Sequence, residues 1–311
     1  MTIVHNLRTP GTMLRPCTHV RAQGKLLAWA CVAVGLATPA CSSSFDSRLG
    51  DEGDRQPSSC VLTWNLNGGV QPGAGATRPS TIALLAQLPS CELMVFTEVQ
   101  PGWANDIQQT LLGEQPSLDF HLGSSGNNQR VMLAWDTRRY QAGAPEEVVL
   151  IETDGRGRAP ILLPLRDRVT DQELLVTGVH LRAGDDRQLD LEFEALTTLL
   201  SGRQTNQLLM GDLNAGCETT FAGGGLDACA VSFRNFAQTS GLLPITTDAS
   251  KSTLCRFMEG GPTPDMALVS AGWTHEIGIV GELDEVDWCS TMGQGAHRPL
   301  GYRITVPYPP L

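Results

Sequence analysis

Apolar residues in this chain come in short runs, and nearly every run stops at a glycine, a proline or a polar side chain. LMVF precedes Thr97-Glu98, ILLPL precedes Arg166, LLVTGV precedes His180, and LLM precedes Gly211-Asp212. Runs of about four to eight residues have the length of a buried strand and are too short for a core helix. Four of them follow one another with no helical pattern between: RVMLAWD (130–136), EEVVLIE (146–152), APILLPLR (159–166) and ELLVTGVHL (173–181). Strands are also expected at CVLTWNL (60–66), CELMVFTEV (91–99), NQLLMGDLN (206–214), PDMALVS (264–270), HEIGIVG (275–281) and RPLGYRITV (298–306), with a long Gly- and Cys-rich loop after Asn214. Helical spacing predicts helices at STIALLAQL, capped by Ser80, at WANDIQQTLLG, ending at Gly113, and at RQLDLEFEALTTLLSG. The last places Leu189, Phe193, Leu196 and Leu200 on one face, with Gly202 past its end. Strands that succeed one another directly argue for α/β layering on a mixed or antiparallel sheet, not strict βαβ alternation. No linker divides residues 59–311, which read as one domain of about 250 residues.

What precedes that domain has a different composition. Residues 1–40 contain no Asp or Glu and four basic residues, Arg8, Arg15, Arg21 and Lys25. Behind Lys25 comes the apolar stretch LLAWACVAVGLATPAC, short of the ~20 residues of a membrane-spanning helix and ending in small side chains. A positive flank, an apolar middle and small residues at the cut form an export signal. Cys41, after TPA and before SSS, resembles the lipid-attachment cysteine of bacterial lipoproteins. Residues 1–41 are therefore expected to be a leader and the polar residues 42–58 a flexible tether. The expected product is exported, and either lipid-anchored to a membrane or secreted.

The charge balance limits the partners. The chain has 22 basic and 33 acidic residues. Removing the four basic residues of the leader leaves 18 against 33, a net charge near −15. Such a surface repels polyanions on average and does not suit a protein that tracks along duplex nucleic acid by releasing counter-ions. Of nine cysteines, Cys60, Cys91, Cys217, Cys229, Cys255 and Cys289 follow the leader and Cys41. An even number in an exported domain predicts up to three disulfides, with the pairing left open. No CxxC spacing occurs, which argues against a zinc site.

Polar residues stand at the ends of the apolar runs: Asn65 and Asn67, Glu98, His180, Asp212 and Asn214, Asp265, and His297. Ligand sites in layered α/β proteins gather at strand ends, where rigid backbone positions short loops. Glu98 with the amide of Asn65 offers hard oxygen ligands suited to Mg²⁺, Mn²⁺ or Ca²⁺. Asp212 can take a proton from water, and Asn214 can orient that water or the group attacked. The two histidines can hydrogen-bond phosphate oxygens, and Asp265 can hold His297 in one tautomer and stabilise its cation. Any one of these residues alone is an ordinary turn, cap or strand-end group. Together they suit attack on a phosphate ester, whose difficulty is the charge developing on phosphoryl oxygens.

The order of these residues resembles the endonuclease/exonuclease/phosphatase superfamily, over essentially Cys60 to Val306. TWNLNG resembles the opening strand, with Asn65, and FTEVQ the segment with the metal-binding Glu, here Glu98. GVHLRAG resembles the segment with a phosphate-contacting His, here His180. GDLNAG is the most specific match, making Asp212 the catalytic base and Asn214 its orienting partner. PDMALVS resembles the segment with the His-pairing Asp, here Asp265, and GAHRPL the closing motif, with His297 at the phosphate. The resemblance implies a four-layered α/β sandwich, two mixed β-sheets face to face with helices outside. It also implies a metal-dependent phosphoric ester hydrolase using Mg²⁺ (or Mn²⁺/Ca²⁺) on a nucleic acid, a phospholipid head group or a small phosphate ester.

One departure opens another reading. Ala296 stands where the closing motif usually has an Asp that contributes to metal binding. The alternative is a non-catalytic surface-binding protein that keeps the fold. Arg158 and Arg187 are open between contact with an anionic substrate and surface ion pairs. DEVDW reads as a solvated acidic turn, AGGGLDAC as a loop, and Trp64 and Trp135 as core.

Overall fold

The structure, a computed structural model, describes residues 57–66, 78–127, 129–150, 158–184, 186–203, 206–215, 229–245, 264–276 and 297–306. The leader, most of the tether, AGGGLDAC before Cys229, DEVDW and Ala296 lie outside them. Gly53–Leu311 forms one compact unit.

A six-stranded and a seven-stranded sheet carry the unit. The first runs β12-β13-β1-β2-β4-β3, from β1 (Ser58–Asn65), β2 (Leu93–Val99), β3 (Leu118–Leu122), β4 (Arg130–Asp136), β12 (Thr274–Glu276) and β13 (Leu300–Thr305). The second runs β10-β11-β9-β8-β7-β5. It is built from β5 (Tyr140–Ala142), β7 (Ile161–Asp167), β8 (Glu173–His180), β9 (Asn206–Asp212), β10 (Leu242–Pro244) and β11 (Asp265–Ser270), with β6 (Glu146–Glu147) beside β7. Each sheet has one parallel pair, β1–β2 and β8–β9, among antiparallel neighbours. Parallel strands need a crossover connection. Helix α1 (Arg78–Leu85) lies in the first crossover and α3 (Asp186–Leu200) in the second; α2 (Ala104–Glu114) and α4 (Val231–Ser240) complete the described helices.

Strand alternation assigns the layers. Val61, Leu93, Val95 and Leu133 of one sheet meet Leu163, Val176, Leu208 and Met210 of the other in the central core. Their sequence neighbours Leu62, Met94 and Phe96 turn outward onto Leu84, Leu85, Ile107 and Leu111 of α1 and α2. On the opposite outer face, Leu175, Leu209 and Leu268 pack under Phe193 and Leu196 of α3 and Phe233 and Phe236 of α4. Phe193 lies 5.6 Å from both Phe233 and Phe236, joining the two helices. The fold is thus a four-layered α/β sandwich with helices outside. Strands buried on both faces explain why the sequence shows near-continuous apolar runs.

Several local expectations change. α1 is already helical at Arg78, so Ser80 lies in its first turn and does not cap it; Pro79 there needs no N–H partner. Among the described residues, EEVVLIE yields only the two-residue β6, and Val148 and Leu150 beyond it pack against the outer core. HEIGIVG is described only through Glu276, within β12. The Gly- and Cys-rich segment after Asn214 contains α4 and β10. Its helix is short, burying only Phe233, Phe236 and Ala237 along one face. Among the cysteines, Cys60 pairs with Cys91, 31 residues apart, tying the start of β1 to the approach to β2; closing a loop of that size contributes roughly 3–4 kcal/mol. Cys229 is also disulfide-bonded. Trp64 and Trp135 are buried, as expected.

Gly211 of β9 lies directly against the Val179 backbone of β8. Its φ is +141°, and a Cβ there would lie 1.9 Å from the Val179 carbonyl oxygen. The glycine before Asp212 is therefore a packing requirement of the parallel pair. Gly211→Ala is expected to destabilise the domain by on the order of 3 kcal/mol or more, read from urea unfolding, since backbone on both sides must shift.

Candidate active site

The tips of five strands converge at one end of the central core. His180 and Asp212 are register partners at the ends of β8 and β9. Asp265, first residue of β11, is the partner of Asp212 on its other side. Asn65 ends β1 opposite Thr97 of β2, one residue before Glu98. In β8, β9 and β11 the inward parity set by Val176, Met210 and Ala267 carries His180, Asp212 and Asp265 to the same inter-sheet face.

Glu98 reaches this face by a break in parity. Met94 and Phe96 point to the outer layer, and strict alternation would send Glu98 after them. Instead the pairing of β2 with β4 shifts between Phe96 and Val99, and Glu98 adopts φ +54°. The extra residue is a β-bulge, a device that re-aims a side chain. The carboxylate turns inward, with Oε1 accepting a hydrogen bond from Asn65 Nδ2 at 3.3 Å.

Hydrogen bonds connect the set. Asn65, fully buried, also donates through Nδ2 to Asp212 Oδ2 at 2.8 Å. The backbone N–H of Asn214 donates to Asp212 Oδ1 at 3.1 Å, and the Asn214 side-chain amide donates to the Leu181 carbonyl at 3.0 Å. Asn214 has φ +47°, a left-handed conformation that Asn tolerates. His180 Nε2 stands 3.7 Å from Asp212 Oδ2 and 3.9 Å from Glu98 Oε1. His297 Nδ1 and Asp265 Oδ2 are 2.6 Å apart, and the His297 carbonyl accepts from the Trp64 indole at 2.9 Å. Of the eight strand-end residues singled out in the sequence, Asn67 lies outside the described residues and the other seven belong to one contiguous cluster.

The structure adds Arg158 to them. Its guanidinium lies against the His180 ring, with Nη1 2.8 Å from Nδ1 and in contact with Nε2. Arg158 carried only an open reading in the sequence, because it precedes β7 without a motif of its own. Arg187 lies exposed on α3, away from that choice.

Electrostatics follows from burial of like charges. Burial raises the Asp212 carboxyl to about 7, the Asp265 and Glu98 carboxylates push in the same direction, and His297 and Asn65 oppose them. Burial alone would lower His297, but the charge and hydrogen bond of Asp265 outweigh it and lift the imidazole to about 9. His180 moves the other way: burial, then the charges of Arg158 and His297, hold it well below the usual histidine range. One imidazole is cationic at neutral pH and the other is neutral.

Three carboxylates around one cavity leave negative charge for a cation to neutralise, and two positions suit one. Glu98 and Asn65 are the hard-ligand pair the sequence suggests, with the amide here turning Nδ2 to Glu98, so that its oxygen would serve a cation only after the side chain turns. Asp212, Asp265 and His297 offer ligand atoms all within 4.8 Å of one another. In the second position the short Asp265–His297 hydrogen bond would have to break first, so the donor set favours the Glu98 side.

Comparison with known proteins agrees with this architecture. The description "Endonuclease/Exonuclease/phosphatase family" matches residues 62–277. The chain belongs to that family. The matched segment includes Asn65, Glu98, His180, Asp212, Asn214 and Asp265 and stops before His297, which the geometry supplies. No curated protein matches the sequence. Among solved structures, an endonuclease/exonuclease/phosphatase family protein from Bacteroides thetaiotaomicron is 16% identical, with a TM-score of 0.59 over 80% of this chain and 98% of that one. A mannosyl-6-phosphatase from Bacteroides thetaiotaomicron is 14% identical, with a TM-score of 0.58 over 80% and 100%. ANGEL2, a 2′,3′-cyclic phosphatase, is 13% identical, with a TM-score of 0.54 over 80% and 96%. At such identities the likeness is one of fold.

The two raised groups make stability depend on pH in one direction. Asp212 rises from 3.8 to about 7, so its folded state is favoured at low pH and loses that advantage as pH climbs through 7. His297 rises from 6.5 to about 9, so its contribution is complete below 6.5 and is lost through 9. Below pH 6.5 the depressed His180 opposes Asp212, because the unfolded imidazole takes a proton that the folded one does not; with chelator present, the urea midpoint is therefore expected to fall between pH 6.5 and about 9. Asp212→Asn should flatten the lower part of that slope and His297→Gln the upper part.

Proposed function

We propose that this chain is an exported, divalent-metal-dependent phosphoesterase that hydrolyses a phosphodiester or phosphomonoester. The observation that carries the reading is the hydrogen-bonded set centred on Asp212, built on a fold whose family contains nucleases and phosphatases by name.

Asp212 is the general base. Each of its oxygens accepts one hydrogen bond, from Asn65 Nδ2 or from the Asn214 N–H, and each keeps a lone pair for a water proton. Its carboxyl near 7 matches the proton affinity that base catalysis at neutral pH requires. His297, held cationic by Asp265, faces the negative charge that grows on the phosphoryl oxygens. Glu98 and Asn65 would hold the cation, Mg²⁺ or Mn²⁺ or Ca²⁺, which when bound supplies positive charge at a phosphate oxygen. The net acidity of the chain weighs against long nucleic acid. A small phosphate ester fits it better, in keeping with the sugar-phosphate and cyclic-phosphate specificities named for two structures of similar fold. A phospholipid head group remains within the same chemistry. The leader supports export, and Cys41 supports attachment to a membrane through lipid.

Two experiments test this. Asp212→Ala should abolish hydrolysis of bis(4-nitrophenyl) phosphate while the circular dichroism spectrum is kept. Wild-type activity should require Mg²⁺ or Mn²⁺ and vanish with chelator. An unchanged rate in the variant would reject the base assignment, and no turnover of any phosphoester with any ion would favour the non-catalytic binder. For the anchor, Cys41→Ser should move the protein from the membrane fraction to the soluble one.

A further inference from the structure

The Trp64 indole makes a contact that the phosphoesterase reading leaves unused. Trp64 and Asn65 are adjacent at the tip of β1, so strand parity sends them to opposite faces. Asn65 enters the seam between the sheets and binds Asp212 and Glu98. Trp64 goes to the outer face, into the cluster of Leu66, Leu84, Phe96 and Ile107, and is fully buried there. A buried indole carries one N–H, which needs an acceptor. That N–H donates to the His297 carbonyl at 2.9 Å, across 233 residues of chain.

His297 needs such a hold. The ladder between β1 and β13 ends toward the site at Thr63–Leu300, and His297 stands beyond it as a single bridge residue. Pro299 between them has no N–H with which to extend the pairing. The imidazole is aimed by one short bond, from Nδ1 to Asp265 Oδ2 at 2.6 Å. A bond at the end of a side chain fixes the ring only if the backbone that carries it is fixed as well. Asp265 holds the ring from one sheet, and Trp64 holds the backbone from the other. Between these two anchors the ring keeps a nitrogen within 4.8 Å of an Asp212 carboxylate oxygen.

We propose that Trp64 is a positioning residue for the reaction: its indole N–H fixes the His297 backbone, and through it the imidazole that faces the phosphoryl group. This rests on the phosphoesterase reading and adds to it a residue that touches neither substrate nor cation. The dipeptide Trp64-Asn65 then serves both halves of the site. Asn65 acts on the two carboxylates from within the seam, and Trp64 acts on the imidazole from behind it.

The test follows variants of the full chain on bis(4-nitrophenyl) phosphate with Mg²⁺ and by proton NMR. Trp64→Phe keeps an aromatic ring and removes the donor. It should lower kcat by roughly 10- to 100-fold, the scale on which small misplacements cost rate, and move KM little. Benzothienylalanine incorporated at position 64 keeps the shape of the indole and lacks only its N–H. It should give the same loss, and it serves as the reporter if Trp64→Phe misfolds. In a His297→Gln background either change should alter kcat by less than about twofold, because both act through one imidazole. Trp135→Phe, beside Leu93 at the other end of β2, is the control and should lower the unfolding midpoint without a selective loss of kcat. A readout independent of turnover is the downfield imidazole proton of the His297–Asp265 bond, assigned by its absence in His297→Gln. Its exchange with water should quicken when the donor at position 64 is removed. Unchanged kcat in an active chain, losses that multiply in full with His297→Gln, unchanged exchange, or a wild-type chain without that proton would each overturn the proposal. Quickened exchange in a chain that hydrolyses no ester would uphold the positioning and sink the enzymatic reading alone.

Discussion

The amide of Asn65 bridges two carboxylates, and the site is organised around that bridge. Glu98 comes from one sheet and Asp212 from the other, and neither can be buried ionised without compensation. Asn65 gives each a hydrogen bond from the same nitrogen, at 3.3 and 2.8 Å, across the seam where the sheets meet. The central core brings the sheets together by apolar contact alone, which has no direction. The polar bridge supplies direction at one end of the seam. It sets β1 and β2 against β9, and Asp265 and His297 join by pairing to Asp212 in register.

Charge then sorts the remaining groups. Burial, with the charges of Asp265 and Glu98 beside it, raises the proton affinity of Asp212. The two imidazoles separate because their neighbours differ in sign. His297 faces Asp265 and becomes a cation, whereas His180 faces Arg158 and cannot. Two residues of the same type at similar strand ends thus acquire opposite states, and only their partners decide which.

Much of this was legible in the sequence, and the exceptions have physical causes. The apolar runs gave the strands because both faces of each central strand are buried. The strand-end polar residues could be picked out because an ionisable group directly after a buried run needs a partner. Glu98 was chosen for that reason, but its direction was not legible: a bulge leaves no mark on composition, and strict alternation would have pointed it away. Arg158 lacked a signal because it precedes β7 without a motif of its own and meets His180 only through the fold. α4 was hidden because its ten residues bury only Phe233, Phe236 and Ala237. The Cys60–Cys91 pairing was one of many that six cysteines permit.

The bulge in β2 has an evolutionary meaning. Because Glu98 faces inward through one surplus residue, its role is encoded in the length of the strand as well as in its chemistry. Only Thr97 and Glu98 lie between Phe96 and Val99, so a single-codon deletion that restores an unbroken ladder either removes the acid or sets it directly after Phe96, opposite Val131 and off the tip it now occupies. Strand length at this tip is therefore under the same constraint as the identity of the acid, and an indel there disturbs the site as surely as a substitution of Glu98.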